Sequence, residues 1–300
     1  MISVVIPTYK RVDSLKKTLE SLNTQINKEF EVVVVNDDHL NPLHLDLSRY
    51  NYQVTVFNNE TNKGAGETRN TGVWKSNYEW IAFLDDDDLY RDDKIAVLID
   101  AIRKNPDLDL IYHPVYCEYV NQKVGYLTKP KANITYNDIL IGNVIGGTSC
   151  FTVKKTFFKK VNGFDASLVA IEDYEFLIRI VKAGAKTMLV NEQLSYYFAF
   201  TNSSGLSKDI SKAHVALQQI DDKYVNDIEK LSAAQKKERK AVRESLLAFT
   251  YLLNLNRKSG VYYFKAFLDN FDYKFLMAAV VGFISPAALI RMRARQTRTI

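Results

Sequence analysis

Residues 80–88 read WIAFLDDDD, five apolar residues followed directly by four aspartates. A short apolar run of this kind is typical of a strand buried in a sheet. Four clustered carboxylates repel one another unless a cation joins them, and their oxygens suit Mg²⁺ or Mn²⁺. We therefore expect a buried strand that ends in a candidate metal site. The alternative is a solvated acidic turn that caps the next helix through Asp92 or Asp93.

Short apolar runs alternate with helix-like segments on both sides of this strand. The apolar runs cover residues 4–6, 32–35, 54–57, 81–84 and 110–112. The segments with apolar residues at helical spacing cover residues 12–22, 65–75 and 94–103. Strand and helix in alternation predict an α/β fold with a mainly parallel sheet flanked by helices. Such sheets bind ligands beyond the carboxyl ends of their strands.

Polar residues follow two other predicted strands at that edge of the sheet. Pro7, Thr8, Tyr9 and Arg11 come at the end of the first strand, and Asp37 follows the second. The Asp37 carboxylate can accept hydrogen bonds from a nucleobase. Its alternative role is an Asx turn within its own loop. We expect these residues to line the ligand site.

Residues 62–70 read NKGAGETRN and form a glycine-bearing turn into a helix. Backbone N–H groups at a helix start point toward a phosphate, so Asn62 and Gly64 are candidates to hold one. Arg69 adds a permanent positive charge suited to a diphosphate, and the alternative for this residue is a surface ion pair. The run is neither a Walker loop nor a Gly-x-Gly-x-x-Gly fingerprint.

Two adjacent acids, Glu172 and Asp173, lead into an amphipathic helix. The helix dipole favours acids in a first turn, so helix capping is one explanation for the pair. Catalysis is the other, because a carboxylate near an acceptor hydroxyl can remove its proton as a new bond forms. Asp173 is the candidate general base, and Glu172 is the secondary candidate.

The composition is that of a globular protein. Hydrophobic residues make up 47% and charged residues 25% of the 300 residues, which allows one large domain or two modest ones. Cys117 and Cys150 are too few for a disulfide framework and are not spaced as a zinc site, which favours a reducing compartment. The N-terminus has no basic region or cleavage site of a signal peptide. We expect a cytoplasmic protein.

Positive charge is concentrated near the C-terminus. Residues 236–300 hold thirteen Lys or Arg against four acids, a net charge of +9, whereas the preceding residues hold 27 basic and 31 acidic ones. Residues 276–290 are almost wholly uncharged. This run is followed by Arg291, Arg293, Arg295 and Arg298. Spanning a bilayer takes about twenty apolar residues, so an anchor that lies on an anionic membrane surface or re-enters it fits better than a spanning helix.

An aromatic band at residues 261–271 precedes this run and is typical of membrane interfaces. The alternative is a helical subdomain packed on the rest of the chain, or a homodimer seam. Nucleic-acid binding ranks lower, because the charges flank apolar helices and no recognised nucleic-acid module is present. From about residue 233 onward the pattern is wholly helical.

Taken in order, these stretches resemble the family 2 glycosyltransferases with the GT-A fold over about residues 1–201, roughly two thirds of the chain. The stretches that carry the resemblance are VVIPTY at 4–9, VVND at 34–37, residues 62–70, FLDDDD at 83–88, and GFD at 163–165 followed by Glu172 and Asp173. The resemblance implies an inverting reaction, a single in-line displacement at the anomeric carbon with a nucleoside diphosphate leaving.

The resemblance also implies roles for individual residues. Asp37 holds the base, commonly uracil. Asp85 and Asp87 take the places of an Asp-x-Asp motif, with Asp87 a direct ligand of Mn²⁺ or Mg²⁺ and Asp85 facing the ribose or the metal. Asp173 falls where the family places its catalytic base. The implied nucleotide-binding residues are Pro7, Thr8, Tyr9, Arg11, Asp37, Asn62, Gly64, Arg69, Asp85 and Asp86.

Three further residues, Gly147, Thr148 and Ser149, match a stretch that lines the acceptor side in relatives, and a buried turn is the alternative. The chain also departs from the family pattern. Asp38 and His39 replace the small Gly-Ser pair common after the second strand. Residues 202–207, rich in Ser and Gly, predict a mobile loop and hold no His, which some relatives supply there.

These observations predict a catalytic domain over residues 1–207, with a nucleotide-sugar half at about 1–120 and an acceptor half at about 121–207. Residues 208–300 form a helical region with a membrane-associating segment at about 258–298. The predicted enzyme is a metal-dependent hexosyltransferase that moves sugar from a UDP donor to an oligosaccharide or lipid-diphosphate-linked acceptor, at the cytoplasmic face of the cell membrane, in bacterial surface polysaccharide synthesis. The alternatives are a sugar nucleotidyltransferase and an inactive membrane scaffold.

Overall fold

The computed structural model of the chain describes residues 1–201, 205 and 208–296. The strands are β1 (Ile2–Thr8), β2 (Phe30–Asn36), β3 (Gln53–Asn58), β4 (Trp80–Phe83), β5 (Leu89–Tyr90), β6 (Leu110–Tyr112), β7 (Val115–Tyr119), β8 (Val124–Leu127), β9 (Phe151–Lys154), β10 (Thr187–Leu189) and β11 (Ser195–Ala199). The helices are α1 (Val12–Leu22), α2 (Gly64–Lys75), α3 (Lys94–Lys104), α4 (Tyr136–Ile141), α5 (Lys155–Lys160), α6 (Glu172–Lys182), α7 (Ile210–Lys223), α8 (Val225–Glu229), α9 (Ala233–Leu253), α10 (Lys258–Asn270), α11 (Tyr273–Ile284) and α12 (Pro286–Gln296).

The five strands and three helices predicted in the first 120 residues are all present. β1 and β2 are buried along almost their whole length, because helices cover both faces of a parallel sheet. Their sequences, ISVVIPT and FEVVVVN, are accordingly apolar almost throughout. α1 spans the predicted residues and turns Leu15, Leu19 and Leu22 toward the sheet.

The main sheet has seven strands in the order β10-β6-β9-β4-β1-β2-β3. β1 pairs in parallel with both β2 and β4, and β3 and β10 extend the sheet in parallel at its two ends. β9 runs antiparallel to β4 on one side and to β6 on the other. The predicted α/β architecture, a mainly parallel sheet flanked by helices with a helical C-terminal region, is confirmed.

A second sheet of four strands, in the order β5-β11-β7-β8, was not predicted from the sequence. β5 has only two residues and follows the four aspartates directly. It pairs with β11, which pairs in parallel with β7. The second sheet therefore connects the acidic run to residues more than 100 positions further along the chain.

The main sheet separates two hydrophobic cores. One core includes Val5, Phe83 and Leu110, and the other includes Val4 and Trp80. Neighbouring residues of one strand enter opposite cores because side chains alternate across a sheet. The sheet is therefore fixed from both sides, and the loops at its carboxyl edge are held in defined positions.

Helices begin at Ile210 in the C-terminal region, within the helical region predicted over residues 208–300. α7 contains both charged and apolar residues. Asp209 caps it by accepting a hydrogen bond from the Lys212 N–H. The uncharged run at residues 276–290 is divided between α11 and α12, because Pro286 has no N–H and begins a new helix. Within the described residues, no helix has both the length and the apolar character that crossing a bilayer requires.

The C-terminal helices pack on the sheets in two ways. α7, α8 and the segment after them contribute Ile220, Tyr224 and Leu231 to one core of the main sheet. α9 to α12 form a further core with Tyr119 and Ala199 of the second sheet. Both groups of helices therefore bury apolar side chains against the rest of the chain.

Candidate active site

The predicted site residues come together at the carboxyl edge of the main sheet. β1, β2 and β4 end there, and polar residues lie at the end of each strand or within two residues of it. The reversed strand β9 starts at the same edge, so the 3₁₀ helix before it (Thr148–Cys150) faces the acidic run. The first turn of α6 supplies Glu172 and Asp173. Five separate parts of the chain thus meet at this edge.

Arg69 lies at the centre of the cluster. Its Nη2 donates to Oδ1 of Asp85 at 2.7 Å, and its Nη1 donates to Oε1 of Glu172 at 2.7 Å. Only 8% of the Arg69 side chain is exposed, so the surface ion pair considered from the sequence is wrong. The guanidinium instead connects the end of β4 to the start of α6. Its two donors fix the positions of both carboxylates.

The 3₁₀ helix holds two of the four aspartates. Thr148 Oγ1 lies 3.2 Å from both carboxylate oxygens of Asp85, and the Asp85 N–H donates to Ser149 Oγ. Ser149 Oγ also donates to Oδ2 of Asp88 at 2.6 Å. Burial, together with the charges of Asp85 and Asp87, raises the pKa of Asp88 well above its ordinary value. Thr148 and Ser149 therefore support the acidic run as well as lying beside it.

The other two aspartates face the loop after β1. Thr8 Oγ1 donates to Oδ2 of Asp86 at 2.6 Å, and Arg11 donates to both Asp86 and Asp87. Burial raises the pKa of Asp86 to about 6, although the Thr8 hydroxyl and the Arg11 charge act in the opposite direction. Burial also raises the pKa of Asp87, again against the Arg11 charge.

The four aspartates differ in their access to solvent. The side chains of Asp85 and Asp87 are 30% and 31% exposed, whereas Asp86 and Asp88 are buried. Two accessible carboxylates fit a Mg²⁺ or Mn²⁺ site, because such ions commonly take one or two protein carboxylates together with substrate phosphates. No cluster of three or more His, Cys, Asp or Glu side chains suited to a metal is found within the described residues.

The capping alternative for the acidic run is wrong. Asp93 occupies the N-cap position of α3, but its carboxylate pairs with Arg91 and makes no cap hydrogen bond. Asp92 accepts instead from Thr24 Oγ1. The acids that follow β4 are thus not explained by the start of the next helix.

Asp37 organises the glycine turn at the start of α2. Its Oδ1 accepts from Asn59 Nδ2 at 2.8 Å and from the Lys63 N–H at 2.9 Å, while its Oδ2 accepts from the Gly64 N–H at 2.9 Å. These donors belong to the segment around residues 59–64 and not to its own loop, so the Asx-turn alternative is wrong. The left-handed φ of 79° at Gly64 lets the turn bring its N–H toward Asp37.

A cavity of about 340 Å³ opens beside the glycine turn. Its lining comes from residues 62–67, from residues 166–169, and from Glu172 and Lys212. Its position next to a helix N-terminus and the Arg69 cluster suits an anionic ligand.

Asp173 faces Gly147 across the site. A methyl group built at Gly147 would lie 3.6 Å from Oδ2 of Asp173, and Oδ1 accepts from the Tyr174 N–H at 2.8 Å. Burial first, and then the neighbouring Glu172 charge, raise the pKa of Asp173 to about 7 against the effect of Arg69. A carboxyl with a pKa near 7 can take and release a proton at neutral pH, which general-base catalysis requires.

The backbone before these acids is strained. Ile171, the N-cap residue of α6, has a left-handed φ of 61°. A β-branched residue rarely adopts this conformation, and such outliers cost about 1–3 kcal/mol and cluster at functional sites. Ile171 makes no side-chain cap hydrogen bond. The strained turn places Glu172 against Arg69 and Asp173 against Gly147.

Pro7 and Tyr9, two further predicted site residues, lie at the end of β1 or just after it. Pro7 lies within β1 opposite Val35. Tyr9 is exposed at the end of the same strand, where the Lys10 ammonium lies 5.0 Å from its ring. Of the predicted loop at residues 202–207, only residue 205 is among the described residues, and Arg298 also lies outside them.

Lys94 and Lys208 also lie beside the site, and neither was predicted from the sequence. Lys94 is fully buried, and its Nζ donates to the Ser149 carbonyl and to Ser195 Oγ, both at 3.0 Å. Its signal was a lysine on the apolar face of a predicted helix. Lys208 interacts electrostatically with Arg11 and Asp87, and no local pattern marks it.

Comparisons with known proteins agree on the class of this site. The family model described as Glycosyl transferase family 2 matches residues 3–161. An uncharacterized glycosyltransferase of Haemophilus influenzae is 34% identical over 296 residues, which cover 98% of this chain and 99% of the relative. The UDP-Glc:alpha-D-GlcNAc-diphosphoundecaprenol beta-1,3-glucosyltransferase WfgD of Escherichia coli is 28% identical over 185 residues, 61% of this chain and 70% of WfgD.

A solved structure shares the fold. The mannosyltransferase PcManGT of Pyrobaculum calidifontis, in complex with GDP-Man and Mn²⁺, matches with a TM-score of 0.56 at 13% identity, over 96% of this chain and 86% of that one. At this identity the likeness concerns the fold alone. The predicted sheet architecture is therefore found in a protein of the same general class.

Proposed function

The chain belongs to glycosyl transferase family 2 and has the GT-A fold, and from this premise we propose that it is an inverting transferase that uses a UDP-sugar. The acceptor is a saccharide linked through diphosphate to a lipid, in the assembly of a bacterial surface polysaccharide. The observation that carries the proposal is the Arg69 cluster, which joins Asp85 to the helix that bears Asp173.

The donor binds between the end of β1 and the glycine turn. Thr8 and Asp37 lie at the ends of neighbouring strands, where a nucleotide can reach both. Asp37 already accepts hydrogen bonds from the turn, so it keeps the turn in place as well as facing the base. The N-terminus of α2 and the cavity beside it favour the negative charge of the diphosphate.

Asp87 and Asp85 are the residues that would hold Mn²⁺ or Mg²⁺. When bound, such an ion neutralises charge that develops on the leaving diphosphate. Arg11 and Arg69 contact the same two carboxylates and keep them in position beside the donor. Asp86 and Asp88, which are buried and bonded to Thr8 and Ser149, fix the turn that carries the pair.

Asp173 removes the proton from the acceptor. The acceptor hydroxyl oxygen attacks the anomeric carbon, and its proton passes to the Asp173 carboxylate. The bond between that carbon and the diphosphate oxygen breaks, and the nucleoside diphosphate leaves with the electron pair. Because the base and the diphosphate act from opposite sides of the carbon, the anomeric configuration is inverted. Gly147, which has no side chain, leaves room beside Asp173 for the acceptor.

The C-terminal helices attach the enzyme to the cytoplasmic face of the cell membrane in this proposal. Two exposed apolar stripes at helical spacing support it: Val261, Phe264, Leu268 and Phe271 in and just after α10, and Tyr273, Met277, Val280 and Ile284 in α11. Exposed apolar surface of this extent marks an interaction site. Exposed Lys265, Lys274 and Arg291 lie in the same region and would contact anionic headgroups.

The experiment that tests the donor proposal is thermal unfolding of the full chain with a panel of nucleotide sugars, with and without Mn²⁺. A ligand that binds only the folded state raises the melting temperature in proportion to its occupancy. We expect UDP-sugars to give the largest rise, and Asp87→Ala to remove the part that depends on Mn²⁺. A larger response to GDP-sugars or CMP-sugars would reject the UDP assignment, and no response to any donor would reject the proposed function.

A further inference from the structure

A second cavity, of about 480 Å³, lies between the second sheet and the C-terminal helices. We call it the interhelical cleft. Tyr126 of β8 lines one wall, and Phe249 of α9 and Phe275 of α11 line the other. The wall formed by α9 and α11 contains none of the site residues predicted from the sequence. Both helices follow the region that matches the family, residues 3–161.

The interhelical cleft reaches the base through two glycines. Gly146 and Gly147 form part of its lining. Gly147 is also the residue whose added methyl group would lie 3.6 Å from Oδ2 of Asp173. A side chain at Gly146 would meet Cys150 Sγ at 2.7 Å, and its φ of 133° is one that other residues rarely adopt. Gly147 therefore lines the cleft and lies next to the Asp173 carboxylate.

The lining combines aromatic rings with a cation. Arg293 of α12 donates to the Tyr263 hydroxyl at 2.6 Å, and its guanidinium lies 5.4 Å from the centre of the Phe249 ring. The other polar side chains of the lining, those of Tyr126, Tyr263, Asn143 and Ser245, are neutral. Among the described residues, the cleft thus carries one charged side chain, and it is positive.

The wall of the cleft is rigidly attached to the catalytic side. A methyl group at Gly142 would meet Val242 Cγ1 at 2.6 Å, so α9 packs directly on the backbone that follows α4. Arg239 of α9 donates to the Leu140 carbonyl and pairs with Asp221 at 2.6 Å. The cleft is therefore held open by packing rather than by a loose loop.

We propose that the interhelical cleft binds the acceptor, with Arg293 contacting a phosphate of its lipid-linked end and the aromatic side chains covering its sugar. Flat aromatic faces suit sugar rings, and a guanidinium suits phosphate. Phe275 lines the cleft at the start of α11, whose exposed stripe continues through Met277 and Ile284. A lipid chain can follow this stripe away from the cleft. The inference rests on the proposed function, since it assigns the acceptor of that same reaction.

Calorimetric titration of n-decyl diphosphate into the full chain, with UDP and Mn²⁺ saturating the donor site, measures the cleft directly. We expect Arg293→Gln to weaken binding by at least about tenfold, because a charged contact to phosphate is lost. Arg291→Gln, on the same helix but exposed, is the matched control and should bind normally. Equal affinity in Arg293→Gln and the wild type, or no binding by the wild type, would overturn the proposal.

The same variants distinguish binding of the acceptor phosphate from binding of a membrane headgroup. In sedimentation with phosphatidylglycerol vesicles, Arg291→Gln should weaken binding by about fivefold and Arg293→Gln should not. n-Decyl maltoside, which has no charge, should bind Arg293→Gln and the wild type equally. If Arg293→Gln instead weakens vesicle binding and leaves decyl diphosphate binding unchanged, Arg293 is a headgroup contact and the cleft assignment is wrong.

A cysteine variant tests the cleft without removing Arg293, whose loss could perturb folding. Cys117 and Cys150 are buried, so Ser245→Cys provides an accessible thiol in the cleft. Modification with a bulky maleimide should abolish decyl diphosphate binding and leave UDP binding intact. Modified Lys237→Cys, exposed on the same helix, should keep both. If modified Ser245→Cys still binds decyl diphosphate, the cleft assignment is rejected. If the unmodified wild type does not bind UDP, the proposed function is rejected instead.

Discussion

Arg69 has few substitutes at its position, because its two carboxylate partners come from different segments of the chain, and one of them, Glu172, lies 103 residues from Arg69 in sequence. Asp85 and Glu172 are brought together at a part-buried site, where unpaired negative charges would repel. A planar guanidinium can donate to both carboxylates at once. A lysine ammonium is a compact point charge and lacks this fixed set of donors. We therefore expect Arg69 to stabilise this cluster as well as to support the proposed donor site.

Arg69→Met should destabilise the fold by about 3–5 kcal/mol, because it leaves two carboxylates of the cluster without their cation. Arg103→Met is the matched control, since Arg103 is 66% exposed and pairs with Glu29 at the surface. That change should alter the free energy of unfolding by less than about 1 kcal/mol. Urea denaturation of both variants measures the difference. Equal effects would show that the Arg69 cluster does not stabilise the protein.

Asp173→Asn should abolish sugar transfer and leave donor binding nearly unchanged. The wild-type kcat/KM should rise with pH through about 7, because the base acts only when its carboxyl is ionised. A pH profile of transfer and a donor titration test the two statements. Retained turnover in Asp173→Asn would move the base to Glu172.

The raised pKa of Asp173 also has a consequence for stability. The folded state holds its proton at pH values where the unfolded carboxyl, with a pKa of 3.8, has already lost it. The Asp173 contribution to the free energy of unfolding therefore falls as pH rises from about 4 to about 7. Asp173→Asn should lack this fall and be more stable than the wild type above pH 7 in urea denaturation.

At the level of elements, the reversed strand β9 shapes the site. Its antiparallel direction puts its first residue at the edge where β1 and β4 end, and the 3₁₀ helix before it thereby reaches the acidic run. A parallel strand at this position would have carried Thr148 and Ser149 to the opposite edge. The sequence identified both residues by resemblance, but strand direction depends on partners far apart in the chain.

Local periodicity predicted the alternating elements well and the second sheet not at all. The bounds of α1 and the strands around it follow from apolar spacing within each segment. β5 has two residues, too few to show a period, and its partner β11 begins at residue 195. Long-range pairing of short strands leaves no signature that a window along the sequence can detect.

The exposed stripes on α10 and α11 predict membrane binding that substitutions can remove. Leu268→Ser, Met277→Ser and Ile284→Ser together should reduce sedimentation with phosphatidylglycerol vesicles by about tenfold or more, because three apolar side chains no longer enter the membrane. The control is Ile26→Ser with Leu40→Ser, because both side chains are exposed and lie in the N-terminal part of the chain. Substitution is preferable to deletion, since removing α10 would uncover the core that it shares with α9.

Unchanged vesicle recovery in the triple variant would contradict a membrane role for the stripes. Light scattering on the same variant distinguishes a homodimer seam. A wild-type dimer that becomes monomeric on these substitutions would assign the stripes to a second copy of the chain.

For the whole molecule, the C-terminal helices share hydrophobic cores with both sheets. Ile220, Tyr224 and Leu231 belong to the cluster that contains Val5 and Phe83. The sequence located the helical region and its basic charge, because composition and spacing are local properties. It did not show the interhelical cleft, which exists only once α9, α11 and α12 meet β8.

Shared cores predict that the chain unfolds as one cooperative unit. The two tryptophans, Trp74 and Trp80, both report on the main sheet, whereas far-ultraviolet circular dichroism reports largely on the helices. Urea transitions followed by fluorescence and by circular dichroism should coincide. A dichroism signal that persists beyond the fluorescence transition would show that the C-terminal helices fold independently.

The position of β9 between β4 and β6 bears on the order in which the sheet can assemble during synthesis. The strands β3, β2, β1 and β4 are complete once residue 83 has been made, but the next strand in space is built from residues 151–154. At about 5–20 residues per second, the nascent chain carries β4 with an open edge for several seconds. Unpaired edges invite pairing with other chains. We therefore expect the emerging half-sheet to be a stage of biogenesis at which this protein is prone to pairing with other chains.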